Sequence, residues 1–126
     1  MTTRKRVVEA VRKRPSVELR LVRIVIEEDL DPDASFLEQD EFADRLAAYK
    51  GGEFIFVGVR AEAEVAVEGV LQTITSGGVW GTESDSEAEH FVELGADQYA
   101  ELRRILKTVG VPTSEIPEAP QMEWRV

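Results

Sequence analysis

The stretch Glu53-Phe54-Ile55-Phe56-Val57-Gly58-Val59-Arg60-Ala61-Glu62-Ala63-Glu64-Val65-Ala66-Val67-Glu68 decides the fold. Ile55, Val57, Val59, Ala61, Ala63, Val65 and Val67 hold the odd positions, while Arg60, Glu62, Glu64 and Glu68 fall on even ones. Successive side chains of a strand point to opposite faces, so the pattern predicts a strand with one buried face and, over its second half at least, one wet face. Gly69 marks a hairpin turn, and Val70 to Ser76 is expected to return antiparallel as a Thr-rich strand.

Upstream, Val17 to Glu27 is rich in β-branched residues, and its alternation changes phase: Val17, Leu19 and Leu21 give way to Val22, Ile24 and Ile26. This predicts a central strand apolar on both faces, or one with a bulge near Leu21. Asp29 to Asp33 is an acidic turn around Pro32. Phe42, Leu46 and Tyr49 then recur at helical spacing, with Asp40 as the expected cap and Gly51 or Gly52 as the stop. Beyond Ser76, Gly77 and Gly78 break the returning strand, Thr82 to Glu87 reads as a loop or helix cap, and His90 to Leu94 as a short strand. A second helix is expected from about Asp97 to Val109, where Tyr99, Leu102, Leu106 and Val109 form a stripe and Arg103, Arg104 and Lys107 suit the helix dipole. The sum is an α+β fold, an antiparallel sheet of three to four strands covered on one face by two helices. Its expected organisation is a basic arm or short helix over residues 1–16, a single α+β domain over 17–111, and a Pro-rich tail over 112–126 whose Trp124 is either anchored on the body or free for a partner.

At 126 residues, with 43% hydrophobic and 32% charged residues, the chain suits one folded domain with one core. No apolar run approaches the roughly 20 residues needed to cross a bilayer, so no membrane association and a cytoplasmic location are expected. The absence of cysteine removes disulfides, thiolate nucleophiles and cysteine-ligated metals. The net charge of −10 is unevenly spread. Residues 1–25 carry eight Lys/Arg against two acids, whereas residues 26–126 carry seven against 23. An acidic body of this kind repels nucleic acid and attracts basic partners; acidity also serves simple solubility.

The segment Gln72-Thr73-Ile74-Thr75-Ser76-Gly77-Gly78-Val79-Trp80-Gly81-Thr82-Glu83-Ser84-Asp85-Ser86 resembles a signature, QTITSGGLWGIESDS, of a family of small acidic phage and bacterial proteins without an assigned activity. The similarity continues upstream through Val59 to Glu64 and downstream into Tyr99 to Leu102, and includes Asp31-Pro32-Asp33. Val79 stands for a leucine and Thr82 for an isoleucine. The resemblance implies a phage or mobile-element setting and assigns no catalytic residue.

Two segments are candidate sites. In Thr75 to Ser86, glycines 77, 78 and 81 allow the backbone to turn closely about Trp80, while Glu83, Ser84, Asp85 and Ser86 supply acceptors and hydroxyls for a cation, a basic side chain or a sugar. The competing reading is a structural turn with Trp80 in the core. In Asp29 to Asp40 the acid spacing is that of a calcium loop, yet Ala34 stands where such a loop needs glycine, and an ordinary acidic turn is expected, with no metal site. His90 is the single histidine, and no nucleophile elbow accompanies it. No catalytic residue and no cofactor are expected. The leading expectation is a non-enzymatic protein-binding module that docks Glu62, Glu64, Glu68, Trp80, Glu83 and Asp85 on a basic host protein surface. Acids two residues apart on a strand lie roughly 7 Å apart, which suggests a nucleic-acid mimic inhibiting a host nucleic-acid-binding or defence protein. The alternative is a small enzyme or small-ligand/metal-binding domain centred on the Gly77 to Asp85 loop.

Overall fold

The computed structural model describes residues 16–126, so all of the basic stretch before Ser16 lies outside the described residues. Five strands are present: β1 (Val17–Glu28), β2 (Phe56–Val67), β3 (Val70–Thr75), β4 (Val79–Glu83) and β5 (Gln121–Arg125). The helices are α1 (Ala43–Lys50) and α2 (Ala88–Thr108), with short 3-10 turns at Ser35–Glu38, Asp40–Phe42 and Thr113–Glu115. The fold is α+β, but the sheet is mixed and five-stranded, in the order β3-β2-β1-β5 with β4 also pairing β2.

The quoted stretch forms β2 as its alternation predicts. Val57, Val59, Ala61, Ala63 and Val65 are buried against Leu102 and Leu106 of α2. At the hairpin, Glu68 and Gly69 both take positive φ (50° and 80°), the pair of left-handed residues that a two-residue turn between twisted strands requires. The phase change in β1 is a bulge. Its register against β2 shifts between Leu19 and Leu21, which puts Val17 and Leu19 on the same face as Val22, Ile24 and Ile26. β3 and β4 together make one interrupted edge, β3 pairing Glu62 to Val67 and β4 pairing Phe56 to Val59.

Four expectations are corrected. The two helices do not share a face: Phe56, an even position of β2, meets Tyr49 of α1, whereas the odd positions meet α2. His90 to Leu94 is helical, because α2 begins at Ala88 and runs straight through Gly95. There a Cβ would lie 3.0 Å from Ile24 Cδ1, so the glycine is what lets helix and sheet approach. Asp40 opens a 3-10 turn and makes no capping hydrogen bond. The end of the Pro-rich tail is β5, which pairs with β1 in parallel from Arg23↔Gln121 to Glu27↔Arg125. Trp124 is consequently anchored, edge-on to Phe91 with ring centroids 5.0 Å apart.

No helix among the described residues is long and apolar enough to cross a membrane.

Candidate functional site

The even positions of β2 place Arg60, Glu62 and Glu64 on the sheet face opposite α2, and register brings arginines from three strands around them. Glu62 is central. Its carboxylate accepts hydrogen bonds from Arg23 Nε, from Arg60 Nη1 at 3.0 Å and from Arg125 Nη2 at 3.3 Å, and its side chain retains only 8% of its exposure. Burial alone would favour the neutral acid, but the Arg23 and Arg60 guanidiniums outweigh it and hold the Glu62 carboxyl below its ordinary range. Glu64 accepts from Arg23 at 3.2 Å, and Glu27 from Arg60 at 2.7 Å. Glu68 lies in the hairpin turn, outside β2, where its Oε1 accepts from the Ser16 backbone N–H at 2.8 Å. The expected row of free charge is therefore broken at Glu62 and Glu64, which register supplies with arginine donors, while Glu68 stays exposed with one backbone N–H as its donor.

The Gly77 to Ser86 segment is likewise taken up in holding the sheet together. Ser76 Oγ accepts from the Ala61 N–H at 2.9 Å and donates to Gln98 Oε1 at 2.7 Å, so one hydroxyl joins β2 to α2 at the break between β3 and β4. The Gly78 N–H donates to the same Gln98 oxygen at 2.9 Å. Trp80 lies flat over Gly58, close enough that a Cβ on that glycine would sit 2.1 Å from the ring. The indole remains 47% exposed, so it covers the sheet face and is not the core residue that a structural turn would have placed inside. Ser84 exchanges hydrogen bonds with Ile55, its Oγ accepting from the Ile55 N–H at 2.9 Å and its N–H donating to the Ile55 carbonyl at 2.8 Å.

Glu83 and Asp85 converge on one cation. Arg45 of α1 donates to both Asp85 oxygens at 2.8 and 2.9 Å, lies 3.1 Å from Glu83, and stacks 4.0 Å above the Phe54 ring. Its hydrogen bonds hold the Asp85 carboxyl below the usual carboxylate range. The basic side chain that these acids suit is thus one from their own chain. Trp80 and Glu83 line separate hollows, Trp80 beside Glu27, Asp29 and Asp31, and Glu83 beside Arg45, Ser86 and His90. In the acidic loop, Asp29 and Asp33 spend side-chain oxygens on the backbone N–H groups of Asp31 and Ser35.

A surface absent from the sequence reading lies between α2 and β5. Its groove has a volume of about 570 Å³ and is floored by Ile24, Val92, Ala96, Tyr99, Ala100 and Met122. Val92 is 60% exposed, and Ala96 and Ala100 are exposed beside it. On the next helical stripe, Glu89, Glu93 and Asp97 follow at four-residue spacing, all exposed and without an ion-pair partner among the described residues. The signal was present in the sequence, since Val92, Ala96 and Ala100 recur at the same spacing, but it becomes readable only once Gly95 is accepted inside a helix.

Comparison of the chain with protein-family models, curated proteins and solved structures finds no match.

Proposed function

We propose that the protein is a non-enzymatic acidic module that binds a basic surface of another protein through the exposed side of α2. One observation carries this reading: among the described residues Glu89, Glu93 and Asp97 stand in a row without an ion-pair partner, while Glu27, Glu62, Glu64, Glu83 and Asp85 are paired with Arg23, Arg60, Arg125 and Arg45. Free carboxylates along one helix face make a coherent negative field, which speeds encounter with a basic partner and discriminates against acidic ones. The phage or mobile-element setting implied by the Gln72 to Ser86 resemblance would make that partner a host nucleic-acid-binding or defence protein. Glu62 and Glu64 are engaged by Arg23, Arg60 and Arg125, so the α2 acids, and not a phosphate-like row on β2, supply the docking charge.

The test is affinity capture from a bacterial lysate with the wild-type chain and with Glu89→Lys/Glu93→Lys/Asp97→Lys. The triple variant is expected to lose the captured protein, and the wild-type complex to weaken steeply between about 0.1 and 1 M salt. A partner retained by the charge-reversed chain at high salt would end the proposal.

A further inference from the structure

We propose that the groove between α2 and β5 seats an extended basic segment of the partner, which adds as a strand to the free edge of β5 and lowers alternate apolar side chains onto Val92, Ala96 and Met122. The proposal rests on the acidic protein-binding reading and names its site. β5 is the outermost strand, paired on one side with β1 and with no strand on its other side among the described residues. An edge of this kind offers unpaired N–H and C=O groups to an incoming chain, with affinity from the main chain and specificity from pockets for every second side chain. The pocket for those side chains is in place. Met122 and Trp124 lie two residues apart on the α2 side of β5, and the groove floor runs alongside them.

Charge selects the occupant. Glu89, Glu93 and Asp97 occupy the exposed helical stripe next to Val92, Ala96 and Ala100, and Glu118 and Arg103 line the groove itself. An incoming strand with Lys or Arg between its apolar residues would bring its cations to this stripe. A second copy would do the opposite. Two-fold pairing through the same surface would bring one acid row against the other, and like charges face to face are unfavourable. A basic segment of a different protein is therefore the occupant that both the floor and the acid stripe accept.

The experiment titrates the full chain with a fluorescent peptide of about nine residues, Val or Ile at alternate positions and Lys between them. Three controls accompany it: the same peptide with Glu for Lys, one N-methylated along its backbone, and the chain variant Ala96→Glu. Ala96 is exposed, so that variant should keep its thermal midpoint. The Lys peptide is expected to bind in the range of tens of micromolar, about tenfold more weakly when N-methylated or when Ala96 is Glu, and the Glu peptide not at all. Equal binding by the N-methylated peptide or by Ala96→Glu would overturn the strand seat while leaving the acid-row reading intact. Binding that ignores Glu93→Lys/Asp97→Lys would overturn the acid-row reading instead. No binding at all, or a sedimenting dimer that Ala96→Glu dissolves, would overturn the seat.

Discussion

Glu62→Gln keeps the shape of a side chain whose charge sits among three guanidiniums. Removing one partner of a buried ion pair costs about 3–5 kcal/mol when the other is left stranded. Here none is stranded: Arg23 keeps Glu64 and Glu123, Arg60 keeps Glu27, and Arg125 keeps Glu123. The arginine side chains also retain 25%, 15% and 33% of their exposure, so solvent screens part of the repulsion. The expected loss is about 2 kcal/mol at neutral pH, or roughly 8 °C in thermal midpoint for a domain of this size. Urea denaturation should show a lower midpoint at an unchanged slope. The dependence on pH has a definite sign. The folded-state pKa of Glu62 is depressed, so the stabilisation is complete above the unfolded value and disappears as pH falls through the folded one. The gap between wild type and variant should therefore narrow as pH falls below the unfolded-state value and vanish once it has passed the depressed folded-state one. A variant within about 0.5 kcal/mol of wild type at pH 7, or a gap that widens as pH falls, would refute the placement of Glu62 as the centre of a buried pair network.

Gly58→Ala should expel the Trp80 ring, since the new Cβ would lie 2.1 Å from it; the expected cost is about 2 kcal/mol, with a red shift in tryptophan emission. Ser76→Ala leaves the Ala61 N–H without its side-chain acceptor and removes one of the two donors to Gln98 Oε1, the Gly78 N–H remaining. It should cost about 2 kcal/mol and speed hydrogen exchange at the Ala61 amide.

The alternation of Val57 to Val67 and the phase change at Leu21 were enough to read β1 and β2, with the bulge as one of two readings of β1, because both signals are local and have the period of a strand. β5 was not legible. Only Met122 and Trp124 alternate there, prolines precede it, and its partner β1 lies far off in sequence, so nothing near it announces pairing. The first turns of α2 were hidden by Gly95, which as a sequence letter reads as a breaker and in the fold is the point of closest approach to Ile24. The acids suffered the opposite error. Glu62 reads as a wet residue until register sets Arg23 directly across from it, and Arg125 two strands away is invisible to any local pattern. Glu83, Ser84 and Asp85, whose types suggested a ligand site, are used instead to tie the end of β4 to Ile55 and to Arg45 of α1. Polar residues clustered at a chain break serve either purpose, and only the distances separate them.

Because β5 closes the sheet against β1, residues 23 and 121 must meet across 98 positions of chain. The β1–β2–β3 meander can assemble as soon as Thr75 is available, whereas its last neighbour arrives some 50 residues later. At ordinary translation speeds this is an interval of about 3 to 10 seconds. Throughout it the nascent meander displays the flank of β1, with Ile24 and Ile26 uncovered on that side and Arg23 lacking Glu123. Any cellular factor that captures strands can engage the chain there during synthesis, so growth temperature and chaperone supply should govern its yield more than its final stability does.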